Sequence, residues 1–155
     1  MRVYSYLLTL VISLGLLPAF PANADPLIMR RMSATFPETM SALQAAIVEQ
    51  GYTVSRVQRV DIGLTKTGHK TDRYRLVLFG KGKEIRKLIN QYPQLSPVLP
   101  LQFVIYAEED ETLVLINDMN NLALMYPDKA LSAYFNKWNR DIFEILESTR
   151  QRVLE

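Results

Sequence analysis

The sequence predicts an α+β fold, an antiparallel sheet of four to five strands with helices on one face. Two observations lead to this prediction. Segments with the two-residue alternation of strands are bunched between segments with helical periodicity, and the strict β-α-β alternation of a parallel sheet is absent. The composition, with 48% apolar and 22% charged residues among 155, is that of a globular protein. The predicted element order is β-α-β-β-(short α)-β-β-α.

The start of the chain has the pattern of a secretory signal peptide. Arg2 places a positive charge near the first residue, and an apolar run follows from Tyr4 to Phe20. Ala22 and Ala24 then supply the small residues of an A-x-A cleavage site. The run is shorter than the ~20 apolar residues of a spanning helix, which favours cleavage over a permanent anchor. We expect residues 1–24 to be removed after Ala24, leaving one periplasmic or secreted domain, 25–155, without a stable membrane anchor.

The first strand is predicted over Leu27–Ala34 and the first helix directly after it. Thr35 and Glu38 form a T-x-x-E capping box with proline in the first turn. Gly51 is placed to end this helix as a C′ glycine. A strand follows over Tyr52–Ile62, and its valines stand three residues apart, which suggests a β-bulge.

The middle of the chain is predicted to alternate between strands and a short helix. A polar loop covers Gly63–Asp72, and a clearly alternating strand follows over Tyr74–Phe79. Lys83–Tyr92 has the periodicity of a short helix that a proline stops. Leu101–Tyr106 and Thr112–Asn117 are predicted to form a hairpin around an acidic turn.

A long final helix is predicted to begin at Asp128. Its apolar residues step by four and three positions from Leu131 to Ile145, which forms one continuous stripe. Polar residues follow from Thr149 to Arg152, so we expect the last turns to leave the core and fray.

The residue inventory excludes several kinds of site. The sequence has no cysteine and a single histidine, His69, so these residues cannot build a disulfide, a CxxC zinc site or a His-cluster metal site. We therefore expect no metal and no cofactor, and we identify no catalytic residue. Nucleic acid is not an expected partner, because the net charge is only +2.

Charge is unevenly distributed along the sequence. Residues 56–87 include ten basic and three acidic side chains, whereas residues 88–155 include five basic and ten acidic ones. Either the surface carries a solvated dipole, or a basic patch receives an anionic ligand, a lipid headgroup or an acidic partner.

Arg73 and Arg75, which flank Tyr74 on one strand, are the main candidates for ligand binding. Guanidinium groups can grip a carboxylate or phosphate in bidentate fashion. Tyr106 on the hairpin and Asp118 after it complete the candidate set. The competing interpretations are a cross-strand salt bridge for the arginines and a hydrogen-bonded turn for Asp118.

Three functions remain open. The favoured one is a binding or accessory domain whose small, partly apolar or anionic ligand lies on a concave surface between the long helix and the sheet, lined by residues such as Tyr74, Phe103 and Trp138. The alternative is a protein–protein interaction module in which these aromatic residues belong to the core. The third is a hydrolytic or acid–base enzyme that uses Asp118 and His69.

A homodimer is the expected oligomeric state. The edges of an antiparallel sheet of this size must be covered or paired, and the tract 122–126 is strongly apolar. The competing explanation for this tract is that it packs beneath the long helix of the same chain.

Several segments resemble the DUF302 family of small α+β domains. The resemblance lies in RLVLFG at 75–80, LPL at 99–101 and VIYAE at 104–108, with FPET at 36–39 and GYTV at 51–54 upstream. It covers roughly residues 28 to 125. The resemblance implies a β-α-β4-α arrangement, frequent dimer formation and no established function.

Two positions depart from the pattern of that family. Lys81-Gly82 stands where members commonly carry Asn-Pro, and Asn117-Asp118-Met119 stands where an aromatic residue is usually followed by Asp-Pro. If either motif lines a family site, that site is altered here. The helix after Asp128 is expected to extend past the usual core of the family.

Overall fold

The computed structural model describes residues 27–155, and its centre is a five-stranded antiparallel sheet. The order of the strands across the sheet is β1-β5-β4-β3-β2. The strands are β1 (Leu27–Met32), β2 (Thr53–Arg59), β3 (Tyr74–Gly80), β4 (Leu101–Glu108) and β5 (Glu111–Asn117). The predicted fold class is confirmed. The predicted signal peptide, residues 1–24 with cleavage after Ala24, lies outside the described residues.

Five helices connect and cover these strands in the described part of the chain. They are α1 (Phe36–Glu49), α2 (Val60–Lys66), α3 (Gly82–Gln91), α4 (Met119–Met125) and α5 (Lys129–Leu154), with a 3-10 turn over Pro93–Leu95. The predicted order is confirmed for α1, α3, α5 and all five strands. The short helices α2 and α4 were not predicted.

Local sequence signals account for the ends of α1. The Glu38 carboxylate accepts hydrogen bonds from the backbone N–H of Thr35 at 3.0 Å and from its hydroxyl at 2.6 Å. These bonds hold the pKa of Glu38 below its usual value. Gly51 adopts a φ of 72°, a left-handed conformation that favours glycine. The predicted capping box and C′ glycine are therefore confirmed.

The strand predicted over Tyr52–Ile62 is shorter than expected. The register with β3 shifts between Val54 and Arg56, which confirms the predicted bulge. The strand ends at Arg59, and α2 replaces its last residues and the first part of the predicted loop. Val60 and Ile62 alternate as in a strand, so the local pattern predicted a strand where the structure has this helix. The predicted first strand also ends early, at Met32 rather than Ala34.

The core lies between one face of the sheet and the helices α1 and α5. Val77, Phe103 and Ile105 fill this inner face, and Phe103 stacks on Phe79 with ring centroids 5.0 Å apart. All five residues of the predicted α5 stripe are fully buried. They are Leu131, Phe135, Trp138, Ile142 and Ile145. Each such side chain contributes roughly 1.5–3 kcal/mol by leaving water.

The C-terminal end of α5 corrects the expectation that its last turns fray. Thr149 is fully buried, and its hydroxyl donates to the Ile145 carbonyl at 2.7 Å. Arg152 binds the Glu49 carboxylate at 2.9 Å, and Ser148 donates to the same group at 3.0 Å. The last turns stay helical because the end of α1 lies alongside them.

A polar cluster around Tyr52, in the turn after α1, also contacts α5. The Tyr52 ring is buried, and its hydroxyl donates to the Asp141 carboxylate, which Lys137 also contacts at 2.6 Å. The Lys81 ammonium lies 4.5 Å from the centroid of the Tyr52 ring. Burial raises the pKa of Asp141, but hydrogen bonds from Lys137 and Tyr52 outweigh it, so the net pKa is lowered and the carboxylate is ionised at neutral pH.

We predict that Asp141→Ala lowers the free energy of unfolding by about 1–3 kcal/mol, because it leaves the buried Tyr52 hydroxyl without its acceptor. Urea unfolding of the variant measures this change. The matched control is Glu147→Ala, which removes an exposed carboxylate of the same helix and should leave stability nearly unchanged. Equal effects from the two substitutions would contradict the prediction.

Candidate binding surface

Arg75 lies on the inner face of the sheet and is held there by contacts within the chain. Its guanidinium forms an ion pair with Asp61 of α2, and the two side chains are only 12% and 13% exposed. It also lies 5.6 Å from the centroid of the Phe36 ring. The hydrogen bond from Arg75 lowers the pKa of Asp61. A salt bridge was the competing interpretation for this arginine, although the partner is on a helix and not on a neighbouring strand.

Tyr74 and Tyr106 meet on the other face of the sheet. They are direct partners in the β3–β4 register, and their rings pack edge to face with centroids 6.3 Å apart. The Tyr106 hydroxyl donates to Asp72 at 3.2 Å, and burial together with this carboxylate raises the pKa of Tyr106. Arg73, next to Tyr74, is exposed at the same end of the sheet. The structure thus pairs Tyr74 with Tyr106, whereas Arg73 borders a cavity that it shares with Phe36 and Pro37 of α1.

The surroundings of Arg73 are acidic. Arg73 borders a shallow cavity of about 380 Å³ next to the β4–β5 turn. Its other charged lining residues are Asp72, Glu109, Asp110 and Glu111. Four carboxylates against one guanidinium make this corner unfavourable for an anionic ligand.

Asp118 does not join this group. It caps α4 by accepting a hydrogen bond from the Asn120 N–H at 2.8 Å, which matches the turn interpretation. Tyr106 pairs with Leu113, and β5 runs four more residues to Asn117 before Asp118, about 14 Å along the strand.

His69 lies in the exposed loop before β3, at the same end of the sheet as Tyr74. His69 and Asp118 therefore lie at opposite ends of the sheet, and their side chains are not brought together for acid–base chemistry. Within residues 27–155, no three His, Asp or Glu side chains are grouped to hold a metal ion. None of the helices described there has both the length and the apolar character needed to cross a bilayer.

The expectation of a concave surface between the long helix and the sheet is wrong. Phe103 and Trp138 are fully buried in the core, and the Trp138 indole N–H donates to Glu84 at 3.0 Å. Tyr74 lies on the opposite face of the sheet. The space beneath α5 is filled by side chains because the α5 stripe and the inner face of the sheet pack directly against each other.

The other face of the sheet is apolar at its centre and uncovered. Met29, Leu115, Val104 and Leu76 are successive partners in one row across β1, β5, β4 and β3. Met29 is 48% exposed, and the other three are partly exposed, so no helix of the described chain covers this row. We call this surface the open sheet face. Its apolar residues are Leu27, Met29, Tyr74, Leu76, Leu78, Val104, Tyr106, Leu113 and Leu115.

Polar residues surround the open sheet face. Arg31 is paired with Glu108 and Glu111 beside the β4–β5 turn, the second pair at 3.0 Å. Arg56 stands opposite Leu78 on the outermost strand β2. An apolar centre inside a polar rim is the usual anatomy of a protein–protein interface.

The sequence contains a signal for the open sheet face. The strands LVLF at 76–79 and LVLI at 113–116 are apolar at consecutive positions, so both of their faces are apolar. In an antiparallel sheet with one solvated face, apolar and polar residues would alternate instead.

We predict that Arg75 is needed for stability and Arg73 is not. Arg75→Ala should lower the free energy of unfolding by about 3 kcal/mol, because it leaves Asp61 nearly buried without its cation. Arg73→Ala, on the exposed neighbour, should change it by less than about 0.5 kcal/mol. Urea unfolding of both variants at one protein concentration tests this, and an Arg75→Ala variant as stable as Arg73→Ala would refute it.

A solved structure shares this fold. It is the crystal structure of an uncharacterized conserved DUF302 protein from Bacillus stearothermophilus, with a TM-score of 0.74 and 20% sequence identity. The match covers 82% of this chain and 100% of the other. At this identity the likeness shows the fold alone. Among curated proteins, none matches this sequence.

The sequence profile of DUF302, a domain of unknown function, matches residues 28–149. This range runs from β1 into the last turns of α5, so α5 belongs to the family domain rather than extending past it. The segments that resemble the family in the sequence cover only residues 28 to 125, so the profile extends the match by most of α5. The profile covers well over half of the sequence, and the chain belongs to the DUF302 family.

Proposed function

We propose that this protein is an exported binding or accessory domain, and that its open sheet face binds a second copy of the same chain. The observation that carries the proposal is the uncovered apolar row formed by Met29, Leu115, Val104 and Leu76. On the inner face of the same sheet, each large apolar side chain that is covered contributes roughly 1.5–3 kcal/mol to stability.

The size of the open sheet face supports a binding role. It spans four strands about 4.8 Å apart and three rows about 7 Å apart, and nine of these twelve positions are apolar, so the apolar area is on the order of 300 Å². The largest apolar patch on a soluble protein is typically about 300–600 Å², and such patches are often functional. A second sheet packed about 10 Å away would remove the central row from water on both copies.

Two-fold symmetry supports a second copy as the occupant, because it brings the same apolar row of both copies together. A two-fold axis between the sheets and parallel to the strands reverses the strand order across the interface and keeps the same strand ends together. The β4–β5 turn then lies over the β3 side of the partner copy. Arg56 on β2 lies over the β1–β5 side in the same arrangement.

The placement of the predicted site residues supports protein contact over a small anionic ligand. Arg75 is engaged by Asp61, Asp118 caps a helix at the far end, and Arg73 is surrounded by carboxylates. Tyr74 and Tyr106 remain as candidates, because they lie on the open sheet face. An enzyme using His69 and Asp118 has no comparable support.

We expect the mature domain to have twice the monomer mass in light scattering at micromolar concentration, and Val104→Glu to convert it to monomer. The substitution places a charge in the centre of the apolar row, where desolvation is unfavourable. The control is Leu124→Glu, because Leu124 is 81% exposed on α4, away from the open sheet face. A monomeric wild type, or a dimeric Val104→Glu variant, would defeat the proposal.

We expect export to produce a mature chain that begins at Asp25. Intact mass of the protein recovered from the periplasm or medium of a bacterial host measures the cleavage position. Ala24→Leu, which replaces the small residue before the cleavage point, should leave the precursor uncut. Recovery of wild-type protein with Met1 retained in the membrane fraction would show that this expectation is wrong.

A further inference from the structure

A cavity of about 260 Å³ lies at the end of the sheet opposite the β4–β5 turn. The loop 97–100 forms one wall, and the start of α4 forms another. Leu99, Met119 and Leu122 contribute buried apolar surface to these walls. The cavity adjoins the last row of the open sheet face but is distinct from its apolar centre.

The lining of this cavity has no charged side chain. Its polar side chains are the amides of Gln102 and Asn117, at the ends of β4 and β5. Both residues are exposed, and neither side chain makes a hydrogen bond in the part of the chain that the structure describes. Each amide can donate and accept hydrogen bonds.

The volume of the cavity restricts the size of a ligand. An apolar cavity of about 150 Å³ accommodates benzene, and pockets for drug-sized molecules begin at roughly 300 Å³. The cavity therefore fits a molecule slightly larger than benzene. Its uncharged lining disfavours an ionic group, because a charge would lose water without gaining a partner.

We propose that this cavity binds a compact neutral molecule, in which an apolar body of about ring size carries a carboxamide-like group. The apolar body lies against Leu99, Met119 and Leu122. The polar group lies at the mouth, where Gln102 and Asn117 donate to its oxygen and accept from its N–H. This site shares Leu78 with the open sheet face, but its binding does not depend on the dimer contact proposed above.

Benzamide, benzoate and benzylammonium are the probes that test the proposal, because they share a ring and differ in charge. In NMR titrations of the mature protein, benzamide should give saturable shifts at Leu99, Met119 and Leu122. Benzoate and benzylammonium should bind at least tenfold more weakly. Absence of saturable benzamide shifts, or equal binding of the charged probes, would overturn the proposal.

The double variant Gln102→Leu, Asn117→Leu tests the role of the two amides. Both positions are exposed, so the fold should be retained, and the spectrum of the free protein verifies it. The variant should bind benzamide about tenfold more weakly, since two hydrogen bonds are lost, and toluene at least as well as wild type. Asn136→Leu, an exposed amide on α5, is the matched control and should bind benzamide normally. Unchanged benzamide binding by the double variant would contradict the assignment of the amides.

Discussion

The burial of one face of the sheet beneath α1 and α5 is the interaction on which the rest of the structure depends. Phe79 and Phe103 from the sheet meet Phe135, Trp138 and Ile142 from α5, all at or near zero exposure. These side chains form one continuous core in which each large residue contributes roughly 1.5–3 kcal/mol. The strands, the helix ends and the polar clusters all take positions that this packing allows.

The same packing explains why the other face stays open. α1 has 14 residues and α5 has 26, so they are about 21 Å and 39 Å long. Helices packed side by side lie 8–10 Å apart, and two of them cover about the width of a five-stranded sheet once. Residues 27–155 therefore have enough long helix for one face, while their strands are apolar on both. The uncovered row around Val104 and Leu115 follows from that imbalance.

Neighbouring residues on one strand show how strongly the sheet decides the role of a side chain. Arg75 faces inward and becomes a structural residue, because Asp61 and Phe36 meet it there. Tyr74, one position earlier, faces outward and pairs with Tyr106 on the surface. The sequence correctly placed Arg75 and Tyr74 on one strand, but residue type alone could not separate the inward arginine from its outward neighbour. That separation depends on which face the helices cover.

The sequence by itself determined the features that depend on local spacing. The capping box of Thr35, the turn at Gly51 and the α5 stripe were predictable, because helix ends and periodicities involve residues a few positions apart. Only the tertiary structure decided the rest. Seven-residue helices such as α2 and α4 are too short to be stable alone, and Thr149 remains helical because α1 lies beside it. The inner and outer faces of each strand were likewise undecided until helices and strands distant in the sequence came together, because no local pattern records which face of a two-sided apolar strand will be covered.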